Sequence, residues 1–264
     1  MEIKRKFHLK IVAALLYAGA FLFTFFPKTN TAFAENEGET LASYTTYFNA
    51  SETARSQNIR IAASLINGII IQPYGEFSFN QTVGRRTQEA GFKQAKIIVN
   101  GEYVLGTGGG VCQVSTTLYN AALKSGLTVI EFHPHTLLVS YVPPSRDARV
   151  SSQSDLKFVN PHAFPVKLLA KTFDGGVRVT FTGKKGEYRY EISSHILQEI
   201  PPPPPIVKQG EKEEILRSPK NGVKSESYLE CYHGDQLVTR KRLRTDEYRP
   251  TQAIIVKKNA IDGE

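Results

Sequence analysis

The stretch Gly108-Gly109-Gly110-Val111-Cys112-Gln113-Val114-Ser115-Thr116-Thr117-Leu118-Tyr119 limits the fold more than any other part of the chain. Three glycines run directly into a helical pattern. Val114, Leu118, Ala121 and Ala122 then recur on one apolar face. The fold must therefore deliver a tight glycine turn to a helix start, with Cys112 in the first turn. Backbone N–H groups are unpaired there, and the positive end of the helix dipole favours an anion. A thiol so placed can have a lowered pKa, and the thiolate is the nucleophile. The glycines allow φ > 0 and close approach of another chain. The competing reading is packing, because free cysteines are among the most buried residue types.

A chain of 264 residues builds one core, or one core with a small appended domain. Its 41% hydrophobic content rules out general disorder. The formal charge of +8 suits nucleic acid, anionic headgroups or anionic wall polymers, or serves solubility alone. Cys112 and Cys231 are the only cysteines, too few for a disulfide framework. A single bridge between them stays open for an exported chain.

Lys4, Arg5, Lys6 and Lys10 form a basic start, residues 11–26 are apolar and uncharged, and Ala32-Phe33-Ala34 has the small-x-small form of a signal-peptidase site. Residues 1–34 thus read as a signal peptide, with an uncleaved anchor as the alternative. In either case the remainder works outside the cytoplasm. An envelope polymer then becomes the expected partner, residues 11–26 the point of any membrane association, and nucleic acid is not expected.

The 41–48 stretch reads as a strand. Ser51 or Thr53 caps a helix through Asn67 with Ile59, Ala62, Ala63, Ile66 and Ile70 as its stripe, and Gly68 stops it. Pro73-Tyr74-Gly75 is a turn, and Phe77 and Phe79 alternate as in a short strand. Apolar runs flanking Asn100-Gly101 predict a hairpin that feeds the glycine run, and the helix after it ends near Ser125-Gly126. Strands follow at 128–132, 137–142, 155–159, 166–170 and 177–181, with Asp174-Gly175-Gly176 as a turn. Helices early and antiparallel strands later give an α+β expectation: helices packed on a mainly antiparallel sheet. Pro201 to Pro205 reads as a polyproline spacer. The expected division is a domain at 41–183, a strand and linker at 184–205, and a small β-rich domain at 206–258.

Downstream of Cys112 stand His133, His135 and Asp147. By analogy, a cysteine at a helix start, a histidine on later strands and a carboxylate beyond is the order of transglutaminase-like and papain-like folds. There the histidine takes the thiol proton and the carboxylate orients the ring. Gln113 and nearby N–H groups would hold an oxyanion. The alternatives are histidines bonded to carbonyls, Asp147 capping a turn, or a zinc site lacking the usual C-x-x-C or H-E-x-x-H spacing. No metal or cofactor is expected. Upstream, Asn58, Arg60, Asn67, Asn80, Arg85 and Arg86 punctuate apolar runs as caps and surface charge, or as an arginine-lined groove for a carboxylate. Arg60, Arg85 and Arg86, with Gly109, Gly110 and Ser115, are the candidate substrate contacts.

These pieces resemble the VanW family, exported bacterial proteins named from a vancomycin-resistance cluster. The matching residues are Asn58-Ile59-Arg60, Gly75 to Asn80, Val83-Gly84-Arg85-Arg86-Thr87, the glycine–cysteine block through Ala121, His135-Thr136, Tyr141-Val142-Pro143, Arg146-Asp147-Ala148 and Asp155 to Phe158. Tyr74, Thr136 and Arg149 depart from the pattern, while Cys112, His135 and Asp147 keep it. The resemblance implies an envelope location. The tail resembles five-glycine-type domains that bind wall sugars, with most of the glycines missing. Together these readings favour a cysteine-dependent acyl transferase or amide hydrolase acting on peptidoglycan or a related envelope amide. The alternatives are a non-catalytic wall-binding module and an envelope or spore-coat assembly factor.

Overall fold

The computed structural model describes residues 38–99 and 101–258. The signal peptide or anchor expected at 1–34, including the apolar residues 11–26, lies outside the described residues. No helix among the described residues is long and apolar enough to cross a membrane.

In chain order the elements are β1 (Glu39–Tyr47), α1 (Thr53–Ile66), β2 (Ile69–Ile71), β3 (Glu76–Ser78), α2 (Phe79–Val83), β4 (Gln94–Val99) and β5 (Glu102–Thr107). Next come α3 (Val111–Lys124), β6 (Thr128–Glu131), β7 (Lys157–Val159), β8 (Val166–Phe173) and β9 (Gly176–Gly183). Beyond them lie β10 (Tyr188–Ile200), β11 (Ile206–Gly210), β12 (Glu214–Arg217), β13 (Gly222–His233), β14 (Gln236–Tyr248) and β15 (Ile254–Lys258). The strands form small sheets ordered β1-β9-β8-β2, β3-β7-β6, β4-β5, β10-β13-β14 and β11-β15-β12. Among the described residues only β11 and β15 pair in parallel.

The expected α+β architecture, helices laid on one sheet in a papain-like manner, is overturned. The described residues are 47% strand and 15% helix, with the strands spread over several sheets. The reason lies in α3. From Gln113 to Leu123 every residue of this helix is buried, polar ones included. A helix buried on all sides is a core rod and not a layer. It packs against β1, β9, β10, β6 and α1. Around it Phe77 stacks on Phe158, and Phe158 meets Phe181 edge-on, with ring centroids 4.8 and 5.8 Å apart.

Several local expectations also change. Glu52, not Ser51 or Thr53, is the N-cap of α1, and it makes no side-chain cap bond. Ile70 belongs to β2 and is 40% exposed, because Gly68 at φ 84° ends the helix before it. Strand β3 stops at Ser78, whose hydroxyl accepts from Gln81 N–H and starts α2, so Phe79 is helical. The 137–142 segment forms no strand. Prolines 134, 143 and 144 remove donors at its edges. Buried Leu137 and Val142 anchor it as an irregular loop. The predicted hairpin is formed, with Val99 opposite Glu102 and Gly101 at φ 82°.

Candidate active site

The start of α3 is built by its neighbours. Gly110 is the N-cap at φ 108°, a conformation that suits glycine. A Cβ on Gly109 would lie 2.7 Å from Lys96 O, so only glycine lets the turn pass β4. Buried Asn58 of α1 fixes this turn: its amide donates to Lys93 O and Gly109 O, each at 2.9 Å, and its Oδ1 accepts from Lys93 N–H at 2.7 Å. The N–H groups of Val111 and Gln113 turn back onto Gly108 O and Gly110 O. Among the described residues Cys112 N–H has no such partner, which leaves a donor beside its own sulfur.

Cys112 is a free, partly buried thiol whose Sγ lies 3.4 Å from Val150 O. His135 reaches the same place from the loop after β6. Its ring Nδ1 donates to Asp147 Oδ2 at 2.6 Å, and its backbone N–H donates to the same oxygen at 2.7 Å. His135 and Asp147 are 5% and 1% exposed, so their charges meet almost without water. Burial would raise the Cys112 thiol, but the neighbouring His135 imidazole, and after it Val150 and Arg86, bring it below the usual value. Burial would lower His135, yet Asp147 and Cys112 push it up to about 9. Burial would raise the Asp147 carboxyl, while His135, Arg244 and Tyr248 bring it down to about 2. The arrangement favours a thiolate beside an imidazolium, backed by an ionised carboxylate.

The other oxygen of Asp147 is held from strand β14, about a hundred residues away in sequence. Arg244 donates through Nη2 to Asp147 Oδ1 and through Nη1 to Asp147 O, both at 2.7 Å. The Tyr248 hydroxyl donates to Asp147 Oδ1 and accepts from Ser145 N–H at 2.8 Å. Arg244 also pairs with Asp246 at 2.7 Å and lies over the rings of Tyr119 and Phe132. Sequence reasoning missed Arg244 and Tyr248. They sit in a strand that alternates like any other, and no local pattern links them to Asp147.

Cys112 and His135 open onto a cleft of about 1020 Å³ between the β4–β5 hairpin, the start of α3 and the 139–152 segment. Its charged lining is Arg55, Arg85, Arg86, Lys96 and Arg149 against Glu52. Arg86 is set in place: it donates to Asn80 Oδ1 at 2.6 Å, and Asn80 in turn bonds Ser151 O and Ser154 O at 2.9 Å. Arg55 donates to Gln113 Oε1 at 2.6 Å. Tyr141 also lines the cleft, and its phenol is raised well above the usual range by burial and by the charges of Cys112 and Asp147. Arg55 was not singled out in the sequence, and Tyr141 entered only through the Tyr141-Val142-Pro143 match, since neither sits in a glycine or cysteine motif.

Not every expected contact meets the cleft. Gly109, Gly110, Arg85 and Arg86 line it; Arg60 lies on the exposed face of α1 and does not. Ser115 is buried inside α3 and donates to Ala148 O at 2.6 Å. The side-chain amide of Gln113 donates to Thr46 Oγ1 and Tyr47 O at 3.0 and 2.9 Å, so it has no N–H left for an oxyanion. His133 bonds Glu131, 3.1 Å away, outside the cleft. Cys231 is a free thiol on β13. Among the described residues no group of three or more His, Cys, Asp or Glu side chains is arranged to hold a metal.

Residues 54–182, which carry all of these cleft groups except Tyr47, Phe48, Asn49 and Glu52, match the family model described as VanW like protein. The chain therefore carries a VanW-like domain over these residues. It is 40% identical over 181 residues to the uncharacterized protein YoaR of Bacillus subtilis (strain 168), a match covering 68% of this chain and 58% of YoaR. It is 32% identical over 80 residues to the vancomycin B-type resistance protein VanW of Enterococcus faecalis (strain ATCC 700802 / V583), covering 30% of this chain and 29% of that protein. The VanW-like chain thus spans less than two thirds of either relative. Two solved structures also match over 27% of the chain. They are HP0197-G5, at 16% identity, 99% coverage of that structure and TM-score 0.16, and the G5 domain of an IgA1 protease, at 19% identity, 87% coverage and TM-score 0.19.

Proposed function

We propose that this VanW-like protein is a cysteine-dependent acyl transferase or amide hydrolase of the cell envelope, acting on a carboxylate-bearing peptide such as that of peptidoglycan. The observation that carries this reading is the Cys112–His135–Asp147 arrangement at the edge of a basic cleft. The Cys112 thiolate attacks the amide carbon, and the carbonyl electron pair moves onto oxygen. Cys112 N–H, at the positive end of α3, stabilises that oxyanion. His135 gives its proton to the leaving nitrogen as the C–N bond breaks and a thioester remains. Water or an acceptor amine then attacks the thioester, with His135 taking the proton, and the thiolate leaves. Arg86 and Arg55 would hold a carboxylate of the substrate, since planar guanidinium groups suit that anion. The envelope location rests on the export-like residues 1–34 and on kinship with the VanW-like family.

The test is trapping. The full chain is incubated with carboxylate-bearing peptidoglycan stem peptides, quenched in acid and weighed by mass spectrometry. A hydroxylamine-labile acyl adduct is expected on wild type and none on Cys112→Ala. No adduct, together with an ordinary thiol pH profile for alkylation of Cys112, overturns the reading.

A further inference from the structure

We infer that Arg244 and Tyr248, on strand β14 of the C-terminal sheet, are positioning residues that complete the Cys112 site by fixing which oxygen of Asp147 meets His135. The inference rests on the proposed acyl-transfer reading and deepens it. It assigns a site role to a part of the chain that the sequence presents as an appendage.

The geometry is specific. A carboxylate has two equivalent oxygens and rotates unless both are engaged. His135 takes Oδ2 twice, through its ring and its backbone N–H. Arg244 and Tyr248 both take Oδ1, and Arg244 also holds the Asp147 carbonyl, so side chain and backbone are clamped together. The clamp is itself held. Tyr248 is fixed by Ser145 N–H, and the neighbouring Arg249 N–H donates to Thr136 O beside His135 at 2.8 Å. The Arg244 side chain is 5% exposed, and Asp246 and the Tyr119 and Phe132 rings pack on it. Buried charges persist where partners satisfy them on all sides, and partners that aim a ligand or base commonly lie one layer behind it. If β14 served only to bind something elsewhere, nothing would require a buried guanidinium against the carboxylate that orients His135.

Charge and positioning predict opposite signs, which makes the role testable. Deleting a cation near Asp147 would by charge alone favour the His135 imidazolium, and hence the Cys112 thiolate. Losing the aim of the carboxylate would do the reverse, because burial then deprotonates the imidazole. The experiment uses the full chain with Cys231→Ser, so that Cys112 is the one thiol. Alkylation by iodoacetamide is followed against pH, and the His135 Nδ1 proton is followed by NMR. For Arg244→Met and Tyr248→Phe the alkylation midpoint is expected to rise by about one pH unit, with a roughly tenfold slower rate at pH values well below both midpoints. The strongly deshielded Nδ1 proton signal should be lost to exchange. Arg244→Lys, which keeps the charge but cannot bridge two oxygens as a fork, should recover only part of the rate. A midpoint that stays or falls, with the Nδ1 signal intact in both variants, overturns the inference. Tyr248→Phe removes no charge and little volume, so it carries the test if Arg244→Met does not fold. Should wild-type Cys112 prove inert, the acyl-transfer reading fails by itself, and the Nδ1 signal still decides whether Arg244 and Tyr248 position His135.

Discussion

At Cys112, burial and the neighbouring imidazole pull the thiol in opposite directions, and the imidazole wins. The same contest fixes how stability depends on pH. His135 titrates at about 9 against an ordinary 6.5, so its contribution is complete below about 6.5 and lost as pH rises through 9. Asp147 titrates at about 2 against 3.8, so its contribution is present above 3.8 and lost as pH falls through 2. The pair therefore stabilises fully between about pH 4 and 6.5. Urea unfolding at pH 5.5 and 9.5 should show wild type losing more stability than His135→Phe between the two pH values. Equal losses in the two proteins would remove the buried ion pair as the cause. The chemistry of these residues was readable in the sequence, since cysteine, histidine and aspartate occur in a workable order. The commitments of Gln113 and Ser115 were not. Their bonds to Thr46, Tyr47 and Ala148 are made across the fold, and no spacing announces them.

Among the elements, α3 and the turn before it carry most of the weight. The apolar positions Val114, Leu118, Ala121 and Ala122 were legible and are fully buried. Burial of the polar face was not, because Thr116, Thr117 and Asn120 look solvent-facing until partners close over them. Thr116 accepts from Ala148 N–H, and Asn120 bonds both Arg146 O and, through Oδ1, Arg146 Nε. Leu118→Ala should cost about 3 kcal/mol in urea, the usual loss for a core leucine. A cost under about 1 kcal/mol would mean that the helix is not the central packing unit. Gly109→Ala drives a Cβ against backbone at Lys96 and Ala95 and should destabilise by about 2 kcal/mol or more. Gly186→Ala meets nothing within 4 Å and should stay within about 0.5 kcal/mol. Equal effects at the two glycines would refute close packing of the turn.

Across residues 38–258, the C-terminal strands are tied to the helical core by buried polar contacts. Arg244 and Tyr248 meet Asp147, Ser145 Oγ lies 2.8 Å from Ser225 Oγ, and Arg146 donates to Ile192 O. Breaking such contacts leaves uncompensated polar groups, so the two regions should unfold together. Calorimetry is expected to give a single transition, lowered as a whole by Tyr248→Phe; two resolved transitions would contradict the coupling. By itself the sequence determined the periodic and local features: the buried face of α3, the glycine turn, the hairpins at 101 and 175, and the residue types able to do thiol chemistry. Those rest on propensity and on neighbours within a few residues. Tertiary structure alone decided that α3 is a core rod among small sheets, that residues 137–142 form a loop, and that β14 clamps Asp147. Each of these depends on contacts between residues far apart in the chain, where burial and hydrogen-bond satisfaction, not local preference, set the outcome.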